Sequence, residues 1–278
     1  MDQGTGLIRL ALFGSPIQSS LSPRIHRLFA AQFDLEIEFQ SIETQADGFP
    51  QALEAFRLAG GVGCNVTLPL KRDAWQLSME STAAVSHAEA ANTLVSQSSG
   101  WFAHNTDGAG LLTDLQTNHA IQIAGKRLLI LGAGGAAAGI IGSLQAARPT
   151  EILIVNRNLE RAKALADRFG NDGQVAVSSW KDLPMQGSFD LVINATSLGH
   201  KGQAPELTSS LFAAGAVCYD LNYFKASLPL KILCEELGQP YIDGLGMLVE
   251  QAAKSFEIWT GKQPDSRTVI DACSQIMQ

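Results

Sequence analysis

The stretch from Leu128 to Ala137, LLILGAGGAA, constrains the fold more than any other part of this sequence. Its four apolar residues are typical of a buried strand, and a GxGxxA pattern follows them. The first glycine of such a pattern permits a tight turn, the second lets the backbone approach a pyrophosphate, and the small third residue lets a helix pack on the strand. The stretch therefore predicts a strand, turn and helix that bind a dinucleotide through Gly132, Ala133, Gly134, Gly135 and Ala136.

The same region has two other interpretations. Twenty uncharged residues lie between Arg127 and Arg148, which is nominally long enough to cross a bilayer. Five of them are Gly and six are Ala, and the glycines follow a short Leu/Ile run, so a strand and a small-residue helix explain the composition better than a membrane span. A glycine-rich turn with a purely structural role is the other alternative.

Arg127–Leu131 and Glu151–Val155 are two successive predicted strands, and the residues after the second one bear on the choice of dinucleotide. An NAD enzyme places Asp or Glu at this point to hold the ribose 2′-hydroxyl, whereas this chain has no acid at the strand tip and two guanidiniums instead. Guanidinium groups suit a 2′-phosphate, so NADP is the predicted cofactor. A solvated helix charge is the alternative for Arg161. The predicted contacts are Asn156, Arg157, Asn158, Leu159, Glu160 and Arg161.

Length and the order of elements predict two α/β domains. The 278 residues correspond to roughly two domains at about 150 residues each. Short apolar runs alternate with helical patterns before residue 106, which predicts a mostly parallel sheet, and a cleaner βαβ series begins at Lys126. We place the boundary near a helix at Thr106–Asn118, and the last helix, from about Ser266, returns to the first domain. The predicted domains are 1–106 with about 255–278, and 107–254.

Composition excludes several functional classes. A net charge of −7 argues against a nucleic-acid partner, which normally meets a basic patch. The four cysteines are scattered without a CxxC pair, which predicts reduced thiols, no metal site and a cytoplasmic protein. The first residues also lack the basic start and apolar core of a signal peptide.

Polar side chains cluster at predicted strand ends of the first domain. The segment 13–23 has closely spaced hydroxyls at a helix start, and Asn65–Lys71 puts a Thr and a Lys after a buried strand. Asn92-Thr93 and 105–108 add amides and a carboxylate. A nicotinamide protein needs a substrate pocket facing its cofactor, and these segments are the candidates for it.

Together these segments resemble the shikimate dehydrogenase family. The motifs, in the family's order, are SxSP, NVTxPxK, AANT, NTDGxG, GAGGAA, NRxxxR, NATSxG and DGxGMLxxQA, and they extend from Phe13 to Trp259. The resemblance implies an N-terminal substrate-binding α/β domain and a Rossmann-like NADP-binding domain, separated by a cleft. It also implies reversible reduction of 3-dehydroshikimate to shikimate with NADPH, in chorismate and aromatic amino acid biosynthesis.

Residue roles follow from the same resemblance. Lys71 and Asp107 correspond to a catalytic pair that also contacts substrate, because a ketone that becomes an alkoxide needs a proton donor within hydrogen-bond reach. The resemblance assigns the substrate carboxylate to Ser20, Ser22 and Tyr223, the substrate hydroxyls to Thr67, Asn92 and Gln251, and the nicotinamide side of the cofactor to Leu221 and Gly244. The alternatives are a surface lysine for Lys71, a helix N-cap for Ser22 and an exposed helix residue for Gln251.

The sequence departs from the family pattern at two positions, and two other functions are compatible with it. Ser19 stands where the family often has His, and Leu221 stands where many members have Met. A quinate/shikimate dehydrogenase with relaxed specificity is one alternative function. A non-catalytic nucleotide-binding sensor is the other, although Lys71 and Asp107 are both present. A monomer and a homodimer are equally compatible with the sequence.

Overall fold

The computed structural model describes residues 6–170 and 174–275, and the chain forms two compact units. The first unit comprises Met1–Gly110 and Val249–Gln278, and the second comprises Leu111–Leu248. Each unit contains a six-stranded sheet, and helices connect most of the strands. The α/β class predicted from the alternating sequence pattern is therefore confirmed.

The elements are numbered in chain order. The strands are β1 (Ile8–Gly14), β2 (Ile37–Glu43), β3 (Gly61–Val66), β4 (Glu80–Ser81), β5 (Thr93–Gln97), β6 (Gly100–His104), β7 (Arg127–Leu131), β8 (Glu151–Val155), β9 (Val175–Ser178), β10 (Phe189–Asn194), β11 (Phe212–Asp220) and β12 (Tyr241–Ile242). The α-helices are α1 (Ser22–Ala31), α2 (Phe49–Leu58), α3 (Lys71–Leu77), α4 (Ala83–Ala88), α5 (Asp107–Thr113), α6 (Gly135–Ala146), α7 (Leu159–Ala166), α8 (Leu228–Leu237), α9 (Leu245–Thr260) and α10 (Ser266–Ser274).

The sheet of the first unit has the strand order β2-β1-β3-β5-β6-β4 and is mixed. β1 pairs in parallel with β2 and β3, whereas β5 is antiparallel to both β3 and β6. The sheet is mostly parallel, as predicted, and the exception is β5, which a tight hairpin makes run opposite to β6. In this arrangement Thr93, where β5 starts, pairs with both Asn65 and His104, near the ends of β3 and β6. The polar segments that follow β1, β3 and β6, and the one that precedes β5, therefore lie at the same edge of the sheet.

The sheet of the second unit has the order β12-β11-β10-β7-β8-β9, and all of its strands are parallel. Central strands of such sheets are covered on both faces, so they consist of continuous apolar runs rather than alternating residues. The fully buried run Leu128–Leu131 has this composition. The chain continues from β7 to β8 on one side and later to β10 on the other, and ligands bind at such a reversal of strand order, beyond the carboxyl ends of the strands.

Two helices change type near their C-terminal ends. The helix expected from Thr106 to Asn118 consists of α5 followed by a π-helical turn, Asp114–Asn118. α7 likewise ends at Ala166 and continues as a 3₁₀ turn, Asp167–Phe169. Within the described ranges, no helix has the length and apolar character needed to span a membrane.

Candidate active site

Two charged side chains meet at the polar edge of the first sheet. Lys71 is the first residue of α3, and Asp107 is the first residue of α5, just after β6. The Lys71 Nζ donates a hydrogen bond to the Asp107 Oδ2 at 2.5 Å, and the two side chains are only 13% and 7% exposed. Shielding from water strengthens their attraction. The alternative of a solvated surface lysine does not fit this environment.

Asn92 and Gln251 complete a cluster around the aspartate. The Asn92 Nδ2 donates to the Asp107 Oδ1 at 2.9 Å, and the same nitrogen lies 3.1 Å from the Gln251 Oε1. Both side chains are buried, so Gln251 is not an exposed helix residue. Both carboxylate oxygens of Asp107 thus have a donor, Lys71 on one and Asn92 on the other. We call these four residues, Lys71, Asn92, Asp107 and Gln251, the lysine cluster.

Three hydroxyl side chains lie behind the lysine cluster. The Asn92 Oδ1 accepts from the Thr106 amide at 2.8 Å and from the Thr93 Oγ1 at 2.9 Å. The Ser255 Oγ lies 2.7 Å from the Thr93 Oγ1 and 3.0 Å from the Gln251 carbonyl oxygen. The sequence predicted no role for Thr93, Thr106 or Ser255. Thr93 lies in the AANT motif and Thr106 in the NTDGxG motif. Ser255 follows Gln251 by one helical turn, which puts the two on the same face of α9.

A histidine adjoins this polar layer. The His26 Nε2 on α1 lies 2.9 Å from the Asn65 Oδ1, and the imidazole is fully buried. Burial disfavours the charged form and lowers the pKa of His26 to about 4, although the hydrogen bond with Asn65 acts in the opposite direction. No motif in the sequence points to His26, because an amphipathic helix pattern does not tell a buried imidazole from any other core position.

The buried neutral His26 makes the stability of the chain depend on pH. Its pKa is about 4 when folded and about 6.5 when exposed, so between these values the unfolded chain binds a proton that the folded chain does not. Stability therefore falls as the pH is lowered through this window. Between pH 7.5 and 5.0, wild type should lose about 2 kcal/mol more unfolding free energy than His26→Phe, as measured by urea titration. An equal loss in both proteins contradicts a neutral, buried His26.

Ser20 and Ser22 lie where the chain enters α1. The Ser22 amide donates to the Ser20 Oγ at 3.2 Å, and the two hydroxyl oxygens are 3.3 Å apart. The expectation that Ser22 is the N-cap of α1 is wrong: Leu21 occupies that position, and Ser22 is already helical. The Ser20 hydroxyl therefore satisfies the Ser22 amide. Thr67 follows β3, is half-buried, and donates its amide to the Phe13 carbonyl at 2.9 Å.

The turn formed by residues 132–136 is here called the glycine turn, and two of its glycines differ in their surroundings. Gly132 has a φ of +109°, and a Cβ on it would lie 2.9 Å from the Ala195 carbonyl oxygen, so packing alone requires glycine there. Gly134 has an ordinary φ of −95°, and no described atom lies within 4 Å of where its Cβ would be. The open space at Gly134, just before α6, fits a phosphate group bound by the backbone. Ala133 lies inside this turn, and Gly135 and Ala136 begin α6.

The segment after β8 combines a helix cap with two arginines. The Asn158 Oδ1 accepts from the Arg161 amide at 3.0 Å and caps α7, and the Asn156 Nδ2 donates to the Asn158 carbonyl. Glu160, in the first turn of α7 with Leu159, pairs with Lys163. Arg157 and Arg161 are exposed, and neither forms an ion pair within residues 6–170 and 174–275. Both guanidiniums therefore remain available for an anion.

The loops after β11 and β12 lie at the same edge of the second sheet. The Gly244 amide donates to the Asn222 carbonyl, and a Cβ on Gly244 would lie 2.6 Å from the Leu221 carbonyl oxygen, so this close approach requires glycine. Burial raises the pKa of Tyr223, which contacts the Phe224 ring. Tyr223 belongs to the second unit, and its contact with substrate remains a prediction.

A buried aspartate that no motif singled out organises these loops. The Asp220 Oδ1 accepts from the Asn194 Nδ2 at 2.9 Å and from the Asn222 Nδ2 at 2.8 Å. Burial raises the pKa of Asp220 to about 6, and these hydrogen bonds oppose the rise. Among the described residues, no group of three or more His, Cys, Asp or Glu side chains could hold a metal ion.

Three family models match the chain, and each describes shikimate dehydrogenases. The substrate-binding domain model matches residues 12–94, the shikimate/quinate 5-dehydrogenase model matches residues 114–205, and the C-terminal domain model matches residues 244–273. With the lysine cluster and the glycine turn, these matches define an NADP-dependent oxidoreductase that acts on a CH–OH group.

Individual relatives agree over nearly the full length. A protein of Alkalilimnicola ehrlichii named shikimate dehydrogenase (NADP(+)) is 42% identical over 95% of this chain and 97% of its own. The chain belongs to the shikimate dehydrogenase family. Its fold matches an Ael1 enzyme from Pseudomonas putida with a TM-score of 0.88 and 38% identity, covering 95% of this chain and 97% of that one. The Thermus thermophilus shikimate 5-dehydrogenase in complex with shikimate matches with a TM-score of 0.84 and 30% identity, covering 97% and 99%.

Proposed function

We propose that this chain catalyses the reversible, NADPH-dependent reduction of 3-dehydroshikimate to shikimate. The observation that carries the proposal is the Lys71–Asp107 pair, held by Asn92 at the polar edge of the first sheet. The matching relative of Alkalilimnicola ehrlichii, named for this activity and this cofactor, supports it. The activity belongs to chorismate and aromatic amino acid biosynthesis.

The lysine cluster donates the proton that the reduction needs and accepts it in the reverse reaction. NADPH, when bound, supplies the hydride. The Lys71 Nζ donates a proton to the substrate oxygen as negative charge develops there, and accepts it back in the reverse direction. Asp107 orients the ammonium of Lys71, and Asn92 holds the second carboxylate oxygen so that the first stays directed at Lys71. A preorganised pair of this kind needs little rearrangement when the substrate oxygen becomes charged.

Neutral donors and acceptors suit the rest of the substrate. Shikimate has one carboxylate and three hydroxyls, and the first unit supplies hydroxyl and amide groups at the same sheet edge as the lysine cluster. The Ser20 and Ser22 hydroxyls bind the carboxylate. The substrate hydroxyls bind to Thr67, Asn92 and Gln251, and Lys71 and Asp107 reach the reacting part of the ring.

The second unit provides the cofactor site. The turn formed by Gly132, Ala133, Gly134, Gly135 and Ala136 binds the pyrophosphate, because its backbone is open at Gly134 and adjoins the start of α6. Arg157 and Arg161 bind the 2′-phosphate, with Asn156, Asn158, Leu159 and Glu160 shaping the segment. Leu221 and Gly244 contact the nicotinamide side.

Replacing Gly134 by alanine separates cofactor binding from folding. The φ of Gly134 suits alanine and the Cβ meets no described atom, so the unfolding free energy should change by less than about 1 kcal/mol. The added methyl occupies the space for the pyrophosphate, so KM for NADP should rise roughly tenfold or more. Gly132→Ala is the matched control and should lower stability by about 1–3 kcal/mol. Unchanged NADP kinetics in Gly134→Ala would place the pyrophosphate elsewhere.

The function is tested by initial rates with four substrate pairs: shikimate or quinate, each with NADP or NAD. We expect rapid reduction of NADP with shikimate and slow rates in the other three combinations. Comparable rates with quinate would identify the relaxed-specificity enzyme instead. Binding of NADP without turnover of either substrate would identify the nucleotide-binding sensor.

We also propose that the chain acts in the cytoplasm on small molecules alone, without nucleic acid, as a monomer or a homodimer. The net charge of −7 supports the absence of a nucleic-acid partner. Sedimentation equilibrium of the purified protein distinguishes the two oligomeric states.

A further inference from the structure

His26 is a polar side chain enclosed by aromatic rings. Its imidazole stacks on Phe39 with ring centroids 4.7 Å apart and lies 5.2 Å from the Trp259 ring, and its Nδ1 is buried without a hydrogen-bond partner in the described part of the chain. An apolar ring in this position would leave no buried nitrogen unpaired. The other nitrogen, Nε2, must therefore explain why a histidine occupies this position.

The contacts of Asn65 determine which hydrogens His26 holds. The Asn65 Nδ2 lies 3.3 Å from the backbone carbonyl oxygen of Asn92, which can only accept. The amide nitrogen of Asn65 therefore faces Asn92, and its Oδ1 faces His26 at 2.9 Å. Because that Oδ1 can only accept, the His26 Nε2 bears the hydrogen and donates it.

The orientation of Asn65 continues to the lysine cluster. The Asn65 Nδ2 also donates to the Thr93 Oγ1 at 3.3 Å, and the Thr93 hydroxyl donates to the Asn92 Oδ1 at 2.9 Å. With its Oδ1 occupied in this way, Asn92 directs its Nδ2 to the Asp107 carboxylate. The Thr106 amide also donates to the Asn92 Oδ1, which favours the same orientation of the Asn92 side chain. Every bond from His26 to Asp107 thus points its donor towards the carboxylate, and bonds in such a series strengthen one another.

We propose that His26 is a positioning residue for the proposed reaction: its Nε2–H orients Asn65 and, through Thr93 and Asn92, holds the Asp107 carboxylate in place for Lys71. The imidazole is enclosed by Phe39, Phe29, Phe256 and Trp259, so it acts through other residues rather than on substrate. The role in catalysis rests on the proposed function, whereas the direction of the hydrogen bonds does not.

Three substitutions separate orientation from packing. In His26→Gln the amide nitrogen reaches the position of Nε2 and can donate, in His26→Asn it reaches only the position of Nδ1, and His26→Phe fills the space without a donor. We expect kcat/KM for shikimate to stay within about threefold of wild type in the Gln variant and to fall about tenfold in the Asn and Phe variants, mainly through kcat. Phe39→Leu, which disturbs the same stack but leaves the donor, should keep the wild-type kcat.

The readouts distinguish this role from a merely structural one. Equal activity of the Gln and Phe variants would overturn the proposal. So would activity losses that follow the thermal unfolding midpoint across all four variants, Phe39→Leu included. Rescue by Gln but not Asn, at similar unfolding midpoints, supports it.

A measurement on wild type is independent of turnover. The ¹⁵N spectrum of the chain with labelled histidines contains five imidazoles, and the signal lost in His26→Gln belongs to His26. We expect His26 to keep a protonated Nε2 and a bare Nδ1 from pH 7.5 to 5.5. A proton on Nδ1 would overturn the proposal even if shikimate is oxidised. If wild type does not oxidise shikimate, the proposed function fails, and the spectrum still decides the orientation.

Discussion

Replacing Lys71 by alanine should lower kcat for shikimate oxidation by about 10²–10⁴-fold, the usual contribution of a general acid–base group. Lys71 acts mainly on charge that develops in the transition state, so KM for shikimate should change less than about threefold. Initial rates at saturating NADP measure both constants. Retention of more than about a tenth of the wild-type kcat would rule out Lys71 as the proton carrier.

Two further variants test the reason for that loss. Lys71→Arg keeps a positive charge beside Asp107, but a guanidinium does not release its proton in a protein, so this variant should be nearly as inactive as Lys71→Ala. Activity close to wild type in Lys71→Arg would mean that charge alone is needed. Lys254→Ala removes an exposed lysine of the same unit, one paired with Glu257, and should leave both constants unchanged.

Replacing Arg157 by alanine should raise KM for NADP and leave KM for NAD nearly unchanged. Arg157 meets a 2′-phosphate that NAD lacks, and a charge-assisted contact of roughly 1.5–3 kcal/mol corresponds to about 10- to 150-fold in affinity. The exposed position of Arg157 beyond β8 favours this interpretation over a structural role. Initial rates with each cofactor at saturating shikimate provide the measurement.

The matched control for Arg157 is Lys163, an exposed cation on α7 that pairs with Glu160. Lys163→Ala should leave KM for both cofactors unchanged, which excludes a general effect of surface charge. Equal losses with NADP and NAD in Arg157→Ala would mean that Arg157 supports the fold of the segment.

The strands and the glycine turn of the second unit could be predicted from local sequence. The strands Arg127–Leu131 and Glu151–Val155 have the predicted bounds, because each consists of one charged residue and four apolar residues followed by turn-forming residues. The glycine turn is also recognisable locally, because the positive φ of its first residue, Gly132, favours glycine. The loop organisation around Asp220 is not local, since its partners come from the ends of β10 and β11, which only sheet formation brings together.

Less of the first unit could be predicted from local sequence. The sequence placed Lys71 and Asp107 in separate motifs, and their pairing was predicted from the family resemblance rather than from spacing. They meet because β5 runs antiparallel to β3, which brings residues from both ends of the β5–β6 hairpin to the edge where β1 and β3 end.

The amino-acid sequence by itself determined the α/β class, the dinucleotide turn and the chemical types at the active site, because apolar runs, glycine positions and short motifs act through neighbours along the chain. Only the tertiary structure decided that Asn92 and Gln251 share the Asp107 site, and that a buried His26 connects to it through Asn65. Hydrogen bonds between residues far apart in sequence depend on strand register and helix packing. Those are properties of the folded sheet, and no single segment contains them.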